Sequence, residues 1–356
     1  MTDAGTRFPG ISSRAWEHPA DRAALQALRR VPGFDLVLRK LFGLFTERSL
    51  RLITMGSAVE VSADQYPALN ALYADVLETL DAPKRWGLYV SQNPVVNAGA
   101  VGMDEPFIVL NSGTVQLLSD DQLRVVLGHE VGHIMSDHVL YKTMLRLLLR
   151  GGRYAGVLPL AGIPLFAVLA AMLEWDRKSE LSADRAALLA TQDPAAVRGS
   201  LLRMAGGVGK GADVDAFRAQ ARRYEEEGNA LDSVIKTLAI LGRRHPFPVQ
   251  RVKELDRWIE SGAYQAVLDG DYPHRDDDPD TGAWEAWKDS ARSYADGFRA
   301  STDPLARWLR DTSAAAEEKV SGIFSRFRSR GEVEGPADDE PGDDSVVDAE
   351  EVERGK

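Results

Sequence analysis

Apolar residues recur at helical spacing over most of this chain, and strand-like runs are few and short. Pro19, Ala20 and Asp21 open a helical run with Leu25, Leu28 and Val31 on one face, and Pro32–Gly33 break it. Residues 34–48 predict a second apolar helix, and 66–80 a third through Leu69, Leu72, Tyr73, Val76, Leu77 and Leu80. Residues 58–61, 86–90, 97–101 and 107–110 read as short strands. Ser119 then caps the clearest helix. Gln122 stands three residues on, which completes a capping box, and Asp120 and Asp121 suit the positive helix end. Its apolar stripe runs through Leu123, Val126, Leu127, Val131, Ile134 and Met135.

Residues 154–173 are twenty residues without a charge, long enough to span a bilayer. Residues 174–192 return to a charged helix, 193–260 alternate helices with Gly-rich joints, and 261–282 read as a Gly/Asp/Pro loop. Long helices around a few short strands predict an α+β fold that is predominantly helical. The expected organisation is a helical arm over 1–57, a main domain over 58–260, a helical extension over 261–330 and a disordered acidic tail over 331–356.

Composition adds three constraints. Hydrophobic residues make up 44%, which excludes a wholly disordered chain. The net charge of −11 is concentrated after residue 330, where eleven acidic residues face two basic ones, so the rest sits near neutrality. That balance argues against nucleic acid as a partner. There is no cysteine, so a disulfide framework, a thiol nucleophile and Cys-ligated zinc are excluded. Charged residues interrupt the N-terminal segment before any apolar run develops, so no signal peptide and a cytoplasmic location are expected.

Three of the six histidines fall between 129 and 138. His129-Glu130-Val131-Gly132-His133 is an HExxH motif on the capped helix. Residues four apart share a helix face, so both imidazoles can reach one cation while Glu130 stands beside them. Zinc lowers the pKa of a bound water to about 7, and the carboxylate can take its proton as it attacks a peptide carbonyl. A third protein ligand is required. His138 lies nine residues beyond His129, about 2.5 turns along a continuous helix, and is expected to point away. Glu180 and Asp184 form an ExxxD pair on one face of the next helix, where Glu180 can ligate and Asp184 can accept the spare N–H of a ligating histidine.

HExxH followed by ExxxD resembles the gluzincin pattern, and the neighbouring segments resemble the CaaX prenyl protease and HtpX family. Besides HExxH itself, the resemblance rests on Asn97-Ala98 before the zinc helix, on Phe107 to Gly113, and on His245-Pro246-Phe247-Pro248 with Arg251 following. It implies a zincin-type fold, a small mixed sheet packed on the HExxH helix and a second glutamate helix. It also implies one Zn2+ on His129, His133 and Glu180, with Glu130 as general base and Asp184 orienting a ligand. Asn97, Ala98 and Gly99 would form the sheet edge to which an extended substrate adds as a strand. His245 or Arg251 would stabilise the oxyanion, or His245 would cap the zinc at rest.

Relatives in that family carry membrane spans, but here the histidines precede the uncharged run and Glu180 follows it. A single crossing would separate ligands that must meet, and Pro159 and Pro164 favour a broken segment. A buried hairpin, a lid or a shallow peripheral membrane contact through 154–173 remains. The expected activity is that of a zinc metalloendopeptidase acting on extended or misfolded polypeptides through a Glu130-activated, zinc-bound water. The alternative is a weakly catalytic, chaperone-like or membrane-surface binding protein that retains the zinc fold.

Overall fold

The computed structural model describes residues 5–31, 34, 47–151, 165–207, 211–226 and 247–278, all within one unit spanning residues 1–297. Among the described residues, four strands form one sheet: β1 (Ala58–Glu60), β2 (Gly87–Ser91), β3 (Ala98–Val101) and β4 (Phe107–Asn111), in the order β1-β2-β4-β3. β2 and β4 are parallel and central, and their apolar residues, including Leu88, Val90, Phe107, Ile108 and Leu110, are buried. β1 and β3 are antiparallel edge strands. The predicted class therefore stands, a mostly helical α+β fold with a small mixed sheet.

The α-helices among the described residues are α1 (Pro19–Arg29), α2 (Glu47–Ser57), α3 (Pro67–Thr79), α4 (Ser112–Leu117), α5 (Asp120–Met135), α6 (His138–Gly151), α7 (Leu165–Thr191), α8 (Pro194–Met204), α9 (Val214–Glu226), α10 (Pro248–Glu260) and α11 (Ala263–Leu268). One core lies where the sheet meets α3, α5, α7, α8 and α10. It also takes in Phe8, Ile11 and Trp16 of the N-terminal arm, and Trp16 Nε1 donates to Ser136 Oγ at 3.0 Å. A second cluster gathers Leu28 and Phe34 against Tyr141, Met144, Val168, Met172 and Trp175.

Three expectations change. The segment expected to be loop over 261–282 contains α11, with Tyr264 and Val267 buried. Gly262 (φ 79°) and Gly270 (φ 94°) bracket that helix, so the glycines punctuate it and do not abolish it. In the uncharged run, 154–164 lie outside the described residues, while 165–173 form the opening turns of α7, directly after Pro164. Val168 and Met172 are fully buried there, as core and not as surface. No helix among the described residues is long and apolar enough to cross a membrane. The third change is a helix break after α5. Ser136 and Asp137 turn the backbone, with Asp137 in the left-handed region (φ 56°), so His138 starts a new helix. The helices expected over 34–48 and 283–330 and the acidic tail lie largely or wholly outside the described residues.

Candidate metal centre

Both halves of the capping box form on α5: Ser119 Oγ accepts from the Gln122 amide, and Gln122 Oε1 accepts from the Ser119 amide. The helix runs unbroken through the HExxH motif. α7 crosses it on small residues. A Cβ built on Gly128 would lie 2.7 Å from the Ala190 Cβ, and one on Gly132 would lie 2.4 Å from the Ala186 Cβ. Only glycine permits this approach. It brings Glu180, one turn before Ala183 on α7, up to the two histidines.

His129 Nε2 lies 3.4 Å from Glu180 Oε2, and His133 Nε2 lies 3.3 Å from Glu180 Oε1. One ligand atom from each of the three residues falls within 4.8 Å of the others. Two imidazole nitrogens and a carboxylate converging on one point fit a divalent cation with a further position open to solvent.

Each of the three is held from behind. His129 Nδ1 is 3.2 Å from Asp184 Oδ1. Asp184 in turn accepts from Arg251 Nε at 2.7 Å and Nη2 at 2.5 Å, a bidentate clamp. Glu180 Oε1 accepts from Lys142 Nζ at 2.7 Å, and the same ammonium donates to Asp176 Oδ1 at 2.7 Å. His133 Nδ1 is 2.9 Å from His138 Nδ1.

These partners set the charges. Burial opposes a charged His129, but hydrogen bonds and charge from Asp184 and Glu180 outweigh it and hold the imidazolium up to a pKa of about 9. Burial and the neighbouring Lys142 ammonium push His133 well below the ordinary histidine value. Burial opposes ionisation of Asp184, yet the Arg251 guanidinium holds it below the usual carboxylate range.

Glu130 is buried, and its Oε2 accepts the Ala100 amide at 2.7 Å. Asn97 O accepts from Asn111 N at 3.0 Å, which places Asn97 in a hydrogen-bonded pair with β4. By antiparallel alternation, the amides and carbonyls of Ala98 and Ala100 face the open edge. At Ala100 the amide is taken by Glu130 and the carbonyl by Arg146. Exposed Asn97 and half-buried Ala98 line a cleft with both histidines and Glu180.

Residues 63–259 match the model of peptidase family M48. The chain is a member of that family. It is 36% identical over 270 residues to a plastoglobule-localized chloroplast metallopeptidase 48 of Arabidopsis thaliana, covering 73% of this chain and 77% of that one. It is 28% identical over 238 residues to a protease HtpX homolog of Kineococcus radiotolerans, covering 64% and 76%. A protease HtpX homolog of Sulfurihydrogenibium sp. is 31% identical over 94 residues, or 26% of this chain and 31% of that one. No solved structure matches. As an M48 member the chain is a metallopeptidase, a hydrolase.

The M48 segment holds His129, Glu130, His133, Glu180, Asp184 and Arg251 in one site, bounded by the β3 edge with Asn97, Ala98 and Gly99. Arg251 is engaged by carboxylates, with Nη1 also 3.5 Å from Glu180 Oε2. His245 lies outside the described residues. Three residues were missed. His138 does not point away: it is 4% exposed and touches His133, because the turn at Asp137 swings it back. Lys142 is buried and donates to Glu180. It follows His138 by one helical turn, a spacing that could have flagged both. Asp21 lies outside the matched segment and carried no local signal.

Proposed function

We propose that the chain is a zinc-dependent endopeptidase that cleaves extended polypeptide bound along the edge of β3. The observation that carries this reading is the convergence of His129, His133 and Glu180 beside Glu130 and that edge. A zinc ion held by the three would supply a Lewis acid for the scissile carbonyl and an acidified water. Glu130, oriented by the Ala100 amide, would take the proton of the attacking water and pass it to the departing amine. The outward amide and carbonyl of Ala98 would pair with the substrate backbone, which holds an extended chain through its main chain. Leu118, Val126, Val197, Leu201 and Met204 line the same cleft and favour an apolar side chain next to the cleaved bond.

The test is metal analysis combined with digestion of a peptide library by wild type and Glu130→Gln. The expected result is one zinc per chain in both proteins, cleavage beside apolar residues by wild type, and none by the variant. Cleavage by a metal-stripped protein would overturn the reading.

A further inference from the structure

His133 and His138 face one another through the same atom, Nδ1 to Nδ1 at 2.9 Å. Two such nitrogens share a hydrogen bond only when one carries the proton and the other a lone pair. If His133 ligates through Nε2, its proton resides on Nδ1, so His138 must accept there and carry its own proton on Nε2. His138 Nε2 lies 3.0 Å from Asp21 Oδ2, which accepts it. The chain of donors therefore runs one way, from His133 to His138 to Asp21.

Asp21 is itself held. Ser182 Oγ donates to the same Oδ2 at 2.6 Å, and Ser182 Oγ accepts the His18 amide at 2.9 Å. Asp21 is 2% exposed. The His138 ring is packed edge-on against Trp175, with centroids 5.7 Å apart. Asp21 belongs to α1, which precedes the M48 segment at 63–259.

The geometry points to Asp21 and His138 as positioning residues of the metal centre: Asp21, acting through His138, fixes the tautomer and ring plane of His133, so that α1 is a working part of the site. This rests on the reading of His133 as a ligand. A ligating histidine whose other nitrogen is fixed by a partner is both oriented and made more basic, and loss of such partners typically weakens metal binding about 10–100-fold. Here the partner is a second histidine, and its direction is set by a carboxylate from a distant segment.

The test uses the full chain and zinc affinity, read by competition with a chromophoric chelator. His138→Phe keeps the ring packing but leaves the His133 Nδ1–H without an acceptor, and should weaken zinc binding about 10–100-fold. His138→Gln, which can accept from His133 and donate to Asp21, should restore most of the loss. Asp21→Leu should weaken binding, Asp21→Asn less so because its amide oxygen can still accept. Because both residues act along one path, Asp21→Leu with His138→Phe should bind no more weakly than His138→Phe alone. Wild-type affinity in His138→Phe, or equal losses in His138→Phe and His138→Gln, would overturn the proposal. Should His138→Phe not fold, Asp21→Leu against Asp21→Asn decides, and equal affinities overturn it. A wild-type chain that binds no zinc would instead sink the endopeptidase reading itself.

Discussion

A methyl group added to Gly132 on α5 would sit 2.4 Å from the methyl of Ala186 on α7. That approach sets the distance between the two histidines on one helix and the glutamate on the other. Gly132→Ala must push the helices apart or tilt them. It is expected to cost about 1–3 kcal/mol of stability and to weaken zinc binding, because the His133–Glu180 spacing widens. Gly56→Ala is the control: nothing lies within 4 Å of its added Cβ. It should leave zinc affinity unchanged. Thermal unfolding with and without zinc measures both.

Arg251 holds Asp184 with two hydrogen bonds, in a site where both are buried. Arg251→Met leaves the buried Asp184 carboxylate without its guanidinium partner and should destabilise the protein by about 3–5 kcal/mol. Zinc affinity should fall with it, since Asp184 orients His129. Were Arg251 instead an oxyanion donor, kcat would fall while stability and metal content held. Chemical denaturation together with chelator competition separates the two outcomes.

The edge at Ala98 can be tested through its amide. This residue sits in a non-hydrogen-bonded pair with Leu110, so proline there costs the sheet no ladder bond. Ala98→Pro should raise KM for extended peptides several-fold and leave zinc content unchanged. An unaltered KM would show that substrate does not pair at this position.

In the metal-free protein both ring nitrogens of His129 face carboxylates, which hold its pKa at about 9. The folded value exceeds the ordinary 6.5. The stabilisation from this ion pairing is therefore full below pH 6.5 and lost as pH rises through about 9. A metal held by His129 Nε2 would displace its proton, so zinc affinity should rise about tenfold per pH unit from near neutrality and level off above about pH 9. His133, with its lowered value, adds no second proton to that slope. Affinity measured against pH, with buffers that do not bind zinc, checks it.

Much of the site was legible because its signals are local. The capping box, the i and i+4 histidines and the ExxxD pair depend on helical periodicity alone, and each forms where that periodicity places it. The four strands were also legible, as short apolar runs between turn residues. His138 was misread for a local reason as well: a continuous helix was assumed, and the left-handed Asp137 breaks it.

The sequence by itself determined which residues could bind a metal, since without cysteine only the histidines and a carboxylate remained, and it determined which helix faces carry them. Tertiary structure decided what stands behind those residues. Lys142 on Glu180, Arg251 on Asp184 and Asp21 on His138 join segments far apart in the chain. Such contacts have no period and no fixed spacing. They exist because Gly128 and Gly132 let α7 lie against α5, and because α1, α6 and α10 then pack on α7, carrying their charged side chains into a buried place where only paired charges are stable.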